Sequence, residues 1–296
     1  MARRILVPIE GSERDDDALA MARHFARDAS ASIVLIHVAA PTARARDLIE
    51  VERFLDSETQ ALRSEGIEAH FVVEFGEPAS EIAEAARRQA AEMIVLAPEQ
   101  RAFLETLWRP RVSVGLLGHA TTPILVLPEG DAEHATPALL GEPDAKVILA
   151  LDGSKSAEAA LPMAMRLAQV NDRTLMLVRV VESPLVLGIG AEAAEVQREA
   201  QLAAEGEAHA YLAETKERLT SETSLEVETV ERSGQVAEQL IRLAGTHRGS
   251  VLVMGTHGRG SLARVIIGSV AAEVLRHTPG PLVIVPSRPE RAALKA

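Results

Sequence analysis

The sequence predicts an α/β protein built from two doubly wound five-stranded parallel-sheet domains in tandem. Three observations carry that prediction. The chain repeats itself. Within each repeat, short Val/Ile/Leu runs alternate with helical stretches. Those runs are apolar at nearly every position, as strands must be when helices cover both faces of a sheet.

The repeat is visible in the residues. Arg4–Ser12 (RILVPIEGS) recurs as Lys146–Ser154 (KVILALDGS), and Ser32–Val38 recurs as Thr174–Val180, both 142 positions on. Glu74–Ile82 then matches Arg232–Leu240, Met93–Ala97 matches Val251–Gly255, and His119–Pro128 matches His277–Pro286, all 158 positions on. The second copy therefore carries about sixteen extra residues, in or near 183–196.

Each copy reads in the same order. Strand one (5–9; 147–151) leads into an amphipathic helix (13–28; 155–169) and strand two (32–38; 174–180). A long polar helical stretch follows (about 42–65; 191–220), then strand three (67–74; 225–231). A further helix (77–90; 235–247), strand four (92–97; 250–255), a loop with a helix (about 110–120; 269–277) and strand five (123–127; 281–285) complete it. The run from Pro128 to Asp144 is rich in Gly, Pro and acid and reads as the joint. The expected bounds are a first domain at 1–129, a linker at 130–143, a second domain at 144–288 and a tail at 289–296.

Composition narrows the function classes. The net charge is −12, from 31 basic and 43 acidic residues, so nucleic acid and anionic membranes would be repelled. No cysteine is present, which excludes disulfides, thiol catalysis and cysteine zinc sites. MARRILVPIEGS has no apolar leader segment, and no window reaches the ~18 apolar residues of a membrane span. The expectation is a cytoplasmic protein with no nucleic-acid or membrane partner.

The informative loop follows strand four of copy two. There Gly255, Gly258 and Gly268-Ser269 stand in the spacing G-x2-G-x9-G-S. Gly255 suggests a tight turn, and Gly258 lets backbone N–H groups approach a ligand. Gly268-Ser269 precedes a helix, whose N-terminal N–H groups and dipole suit phosphate. Thr256, His257 and Arg259 could add donors. Glycine after a strand is also ordinary turn punctuation, and Ser before a helix is also an ordinary cap. The joint spacing, at the ligand-binding end of a doubly wound sheet, favours the cradle.

Tandem repeats of this size with that motif resemble the universal stress protein family. The resemblance covers both copies and implies the adenine nucleotide alpha hydrolase-like fold, with strand order 3-2-1-4-5. It implies an ATP site in copy two, with Mg2+ arriving on the nucleotide rather than on a dedicated carboxylate set. Residue by residue, Asp152 matches the acidic position that contacts adenosine, and Val180 the position whose backbone meets adenine. Met254 and Val270 flank the loop, and Ala150 stands where some members have Pro. Asp152-Gly153-Ser154 also reads as an Asx turn and helix start. Pairing of strand five in the family implies an internal pseudo-dimer through PILVLP and PLVIVP, and a homodimer is a further expectation.

Copy one departs from the pattern throughout. Ala97, Gln100, Pro110 and Arg111 stand at the positions of Gly255, Gly258, Gly268 and Ser269, and Glu10 replaces Asp152. The expectation is one competent site per chain, in an ATP-binding stress or regulatory protein without a catalytic residue set. Two alternatives stand beside it. A slow ATPase or phosphotransferase needs a base near the γ-phosphate, for which His257 is the motif-local candidate. A nucleotide-independent interaction protein would use the loop only structurally. Gly188-Ile-Gly190-Ala-Glu-Ala193 fits a loose dinucleotide pattern but sits in the insertion, away from a first strand.

Overall fold

In the computed structural model the described residues are 3–11, 14–97, 113–128, 142, 144–182, 191–256 and 267–286. The first half supplies β1 (Arg4–Pro8), α1 (Asp15–Ala29), β2 (Ser32–Ala39), α2 (Ala45–Ser64), β3 (Ala69–Phe75), α3 (Pro78–Arg88), β4 (Met93–Leu96), α4 (Ser113–His119) and β5 (Ile124–Val126). The second half supplies β6 (Val147–Ala150), α5 (Lys155–Glu158), α6 (Leu161–Val170), β7 (Leu175–Val181), α7 (Ala191–Glu222), β8 (Val227–Ser233), α8 (Val236–Thr246), β9 (Val251–Gly255), α9 (Ser269–His277) and β10 (Leu282–Val285).

Alternation along the strands explains the layers. Leu6, Ile94, Ile148 and Leu252 face one apolar core, while Val7, Val95, Leu149 and Val253 face the other. Both sets are buried, so these four central strands keep no polar face, whereas the edge strands β3 and β8 carry polar, partly exposed residues. The sheet order is β3-β2-β1-β4-β5-β10-β9-β6-β7-β8. Each half thus has the order 3-2-1-4-5. The two sheets are one, joined where β5 and β10 pair antiparallel, with Leu125 opposite Val283. Both residues are fully buried, so the seam covers strand edges that a lone half would expose.

Side chains lock the seam. His24 Nε2 lies 2.9 Å from Asn171 Oδ1, and Arg166 pairs with Glu92. Between them Ile5, Phe25, Met163 and Leu167 line an apolar void of ≈ 30 Å³, too small for a ligand.

One expectation needs correcting. The helix expected over 155–169 is broken into α5 and α6, because Pro162 near the start of α6 has no N–H and ends the preceding turn. Ala20, at the equivalent place, lets α1 run unbroken. The long helix expected over 191–220 is the 32-residue α7, which begins within the stretch expected as an insertion, 183–196; residues 183–190 lie outside the described residues. Among the described residues no helix is long and apolar enough to cross a membrane.

Candidate functional site

The chain leaves β6 by a turn that its own side chains build. The Leu151 N–H donates to the Val178 carbonyl at 2.8 Å, holding β6 against β7 for one last residue. Asp152 Oδ1 then accepts from the Ser154 N–H at 2.9 Å, and Ser154 Oγ accepts from the Ala157 N–H at 3.1 Å. Gly153 sits at φ +79°, a conformation side chains disfavour. One carboxylate oxygen of Asp152 therefore shapes the turn that opens α5.

Beyond that point β7 continues alone on its β6 side. Val178 points its carbonyl at β6, and peptide edges alternate, so Val180 turns the same edge toward the gap that β6 has left. A main-chain donor and acceptor thus face the crevice at the topological switch point.

The opposite wall is the end of β9. Gly255 was expected to make a tight turn. It instead closes the strand in register with Val285, without a left-handed φ. Its reason is packing: a Cβ there would lie 2.6 Å from the Ser156 carbonyl oxygen and 3.0 Å from its carbon. Backbone cannot yield as a side-chain tip can, so α5 and β9 approach only through glycine. Thr256 is buried; its N–H donates to the Val285 carbonyl at 3.2 Å, and its own carbonyl accepts the Gly268 N–H at 2.9 Å. Gly268 caps α9 at φ −67° with no side-chain bond to the helix. The first turn of α9 therefore offers the N–H groups of Ser269 and Val270 at the dipole's positive end.

These elements enclose a cleft of ≈ 480 Å³, within the range of small-molecule pockets. Nine residues singled out in the sequence line it: Ala150, Asp152, Val180, Met254, Gly255, Thr256, Gly268, Ser269 and Val270. His257, Gly258 and Arg259 lie outside the described residues. Sequence reasoning missed Arg179, Glu182 and Glu207, which line the same cleft. A charged residue within the otherwise apolar run LMLVRVV was the one available signal for Arg179.

Arg179 belongs to a stack. Its guanidinium carbon lies 5.2 Å from the centre of the Tyr211 ring, and the Tyr211 hydroxyl donates to Glu158 Oε1 at 3.1 Å. Burial, reinforced by the Glu158 carboxylate, pushes the Tyr211 phenol up to about 12.

The first half fills the corresponding place differently. Buried Asp15, where Ala157 stands in copy two, accepts from the Gly11 N–H at 2.7 Å and the Glu10 N–H at 3.1 Å. His37, the counterpart of Arg179, places Nδ1 2.8 Å from the Ile9 carbonyl. Gln100, Pro110 and Arg111 lie outside the described residues.

Known proteins match both halves. The family model described as the universal stress protein family matches residues 1–128 and 145–286. A universal stress protein of Mycobacterium bovis is 28% identical over 158 residues, 49% of this chain and 49% of its own. One from Methanocaldococcus jannaschii is 26% identical over 140 residues, 47% of this chain and 81% of its own. The match thus spans about half the length of the mycobacterial relative. In three dimensions, a universal stress protein of Archaeoglobus fulgidus superposes with a TM-score of 0.69 at 20% identity, covering 96% of this chain and 98% of that one. A functionally unknown protein of Pseudomonas aeruginosa gives 0.68 at 17% identity, covering 96% and 92%. At these identities the structural likeness speaks for the fold.

Proposed function

The chain belongs to the universal stress protein family, and on that premise we propose that it is a cytoplasmic stress-response regulator that binds ATP at one site, in its second half. The observation that carries this reading is convergence. Residues from β6, β7, β9 and α9, more than a hundred positions apart, meet around one cleft. Adenine lies against the main-chain edge of Val180, with the adenosine part beside Asp152. The phosphates meet the N–H groups of Ser269 and Val270, whose helix has no capping side chain to compete with them. Gly258 brings the loop backbone to the phosphates. Mg2+ travels with the nucleotide; among the described residues no cluster of His, Asp or Glu is arranged to hold a metal.

The same reading leaves the first half without nucleotide. Asp15 places a carboxylate on the amides that follow β1, and an anion is repelled there. Isothermal titration of the full chain with ATP is expected to give about one site per chain. The double variant Gly258→Gln, Gly268→Pro is expected to abolish it. Binding that survives both changes overturns the proposal.

A further inference from the structure

Arg179 has no part in the adenine and phosphate contacts above, yet it is 8% exposed and lines the cleft. Among the described residues no carboxylate pairs with it. Its single hydrogen bond is a long one, from Nη1 to the Glu207 carbonyl at 3.4 Å. Nε and Nη2 have no protein partner there, and neither is among the atoms sealed from solvent, in a side chain whose residue lines the cleft. Burying a guanidinium without a partner is costly, and a stack on Tyr211 offsets only part of that cost.

The surroundings choose the ligand group. Glu182 and Glu207 stand on the same wall, exposed, and their carboxylates disfavour a second phosphate beside Arg179. A neutral group with acceptors for the guanidinium and donors for a carboxylate suits both. Arg179 also adjoins Val180, whose main-chain edge takes the base. A 6-oxopurine has the complementary pattern: O6 and N7 accept from an arginine fork, and N1–H donates. Adenine has N7 but a donating amino group where O6 would be.

We propose that Arg179 fits the base end of this cleft to 6-oxopurine nucleotides, those of guanine or hypoxanthine, alongside adenine nucleotides. The proposal rests on the nucleotide reading of the same cleft. The first half, with His37 at this position and its ring on the Ile9 carbonyl, lacks the device.

The test is displacement of a fluorescent ATP analogue from the full chain by ATP, GTP, ITP, CTP and 7-deaza-GTP. GTP and ITP are expected to compete within about tenfold of ATP, and 7-deaza-GTP, lacking the N7 acceptor, about tenfold more weakly than GTP. In Arg179→His and Arg179→Lys, which keep a polar or charged group but lose the fork, the GTP-to-ATP affinity ratio is expected to fall about tenfold or more. GTP and ITP binding no better than CTP overturns the proposal. So does an unchanged GTP-to-ATP ratio in the variants, which would make Arg179 a purely structural partner of Tyr211. Should a variant not fold, the 7-deaza comparison on the unaltered chain decides. Failure of every nucleotide, ATP included, overturns the nucleotide reading itself, a result distinct from failure of GTP alone.

Discussion

The turns after β1 and β6 start from nearly the same residues, Glu10-Gly11-Ser12 and Asp152-Gly153-Ser154, and diverge within five positions. Gly11 and Gly153 adopt the same left-handed conformation, φ +82° and +79°. In the first half Asp15 folds back onto the Glu10 and Gly11 amides, and α1 then runs unbroken for 15 residues. In the second half Asp152 and Ser154 build the turn from the other side. Ala157 replaces the inward carboxylate, and Pro162 cuts the helix after one turn. One half therefore satisfies its loop internally. The other leaves an open wall, against which β9 can close only through Gly255. A duplicated fold keeps its sheet while the chemistry at the strand ends drifts, because the sheet needs only apolar runs and the loops need particular residues.

The largest expected effect comes from making the halves alike at β9. Gly255→Ala forces a Cβ to within 2.6 Å of a backbone oxygen and is expected to destabilise the chain by about 3 kcal/mol. Ala97→Gly, the reverse change in the first half, should cost only about 0.5–1 kcal/mol, mostly from backbone entropy. Denaturant unfolding of both variants measures the contrast, and equal losses would break it.

A smaller effect follows from exchanging the inward carboxylate. Asp15→Ala removes the acceptor of two amide bonds and is expected to cost about 2 kcal/mol, again read by unfolding. Ala157→Asp puts that charge on the wall of the proposed ATP cleft and should weaken ATP binding about tenfold. Unchanged affinity would mean that the phosphates lie elsewhere.

The smallest effect is a pH slope confined to the second half. Tyr211 is the only tyrosine, so its ionisation can be followed by absorbance without interference from another phenol. Its folded pKa is raised to about 12 against 10.0 for an ordinary phenol. The unfolded chain therefore loses this proton first. The contribution is intact below about pH 10 and is lost as pH rises toward 12. Tyr211→Phe should flatten the slope of stability over that interval. In the first half, setting Leu55 and Leu62 on Leu212 and Leu219 places Phe54 opposite Tyr211, so no comparable titration arises there.

Much of this was legible in the residues. Apolar runs such as VLVM and LVIV can hardly be other than buried strands, and the two offsets located every repeated element. The motif glycines pointed to the right strand end, but for Gly255 the reason read from them was wrong. A turn is a local property that sequence can suggest. The contact with Ser156 joins residues 99 positions apart, and no pattern in either segment announces it. Gly268 carried a similar surprise. The helix start it opens was read as a phosphate site, but its own N–H already serves the Thr256 carbonyl, so the open donors begin at Ser269. Arg179 stayed unseen because a single charge in a strand has no period to betray its surroundings.

By itself the sequence determined the duplication, the αβ alternation and the family. The first two follow from hydrophobic periodicity and residue spacing, which are properties of neighbours along the chain, and the family from the resemblance its glycine motif carries. Tertiary structure alone decided the register of the expected strand-five seam, with Leu125 opposite Val283, that Asp15 fills the first half's loop, and that Arg179 lines the second half's cleft with Val180. Each of those outcomes depends on which distant groups are brought within a few ångströms, and that distance is set by packing.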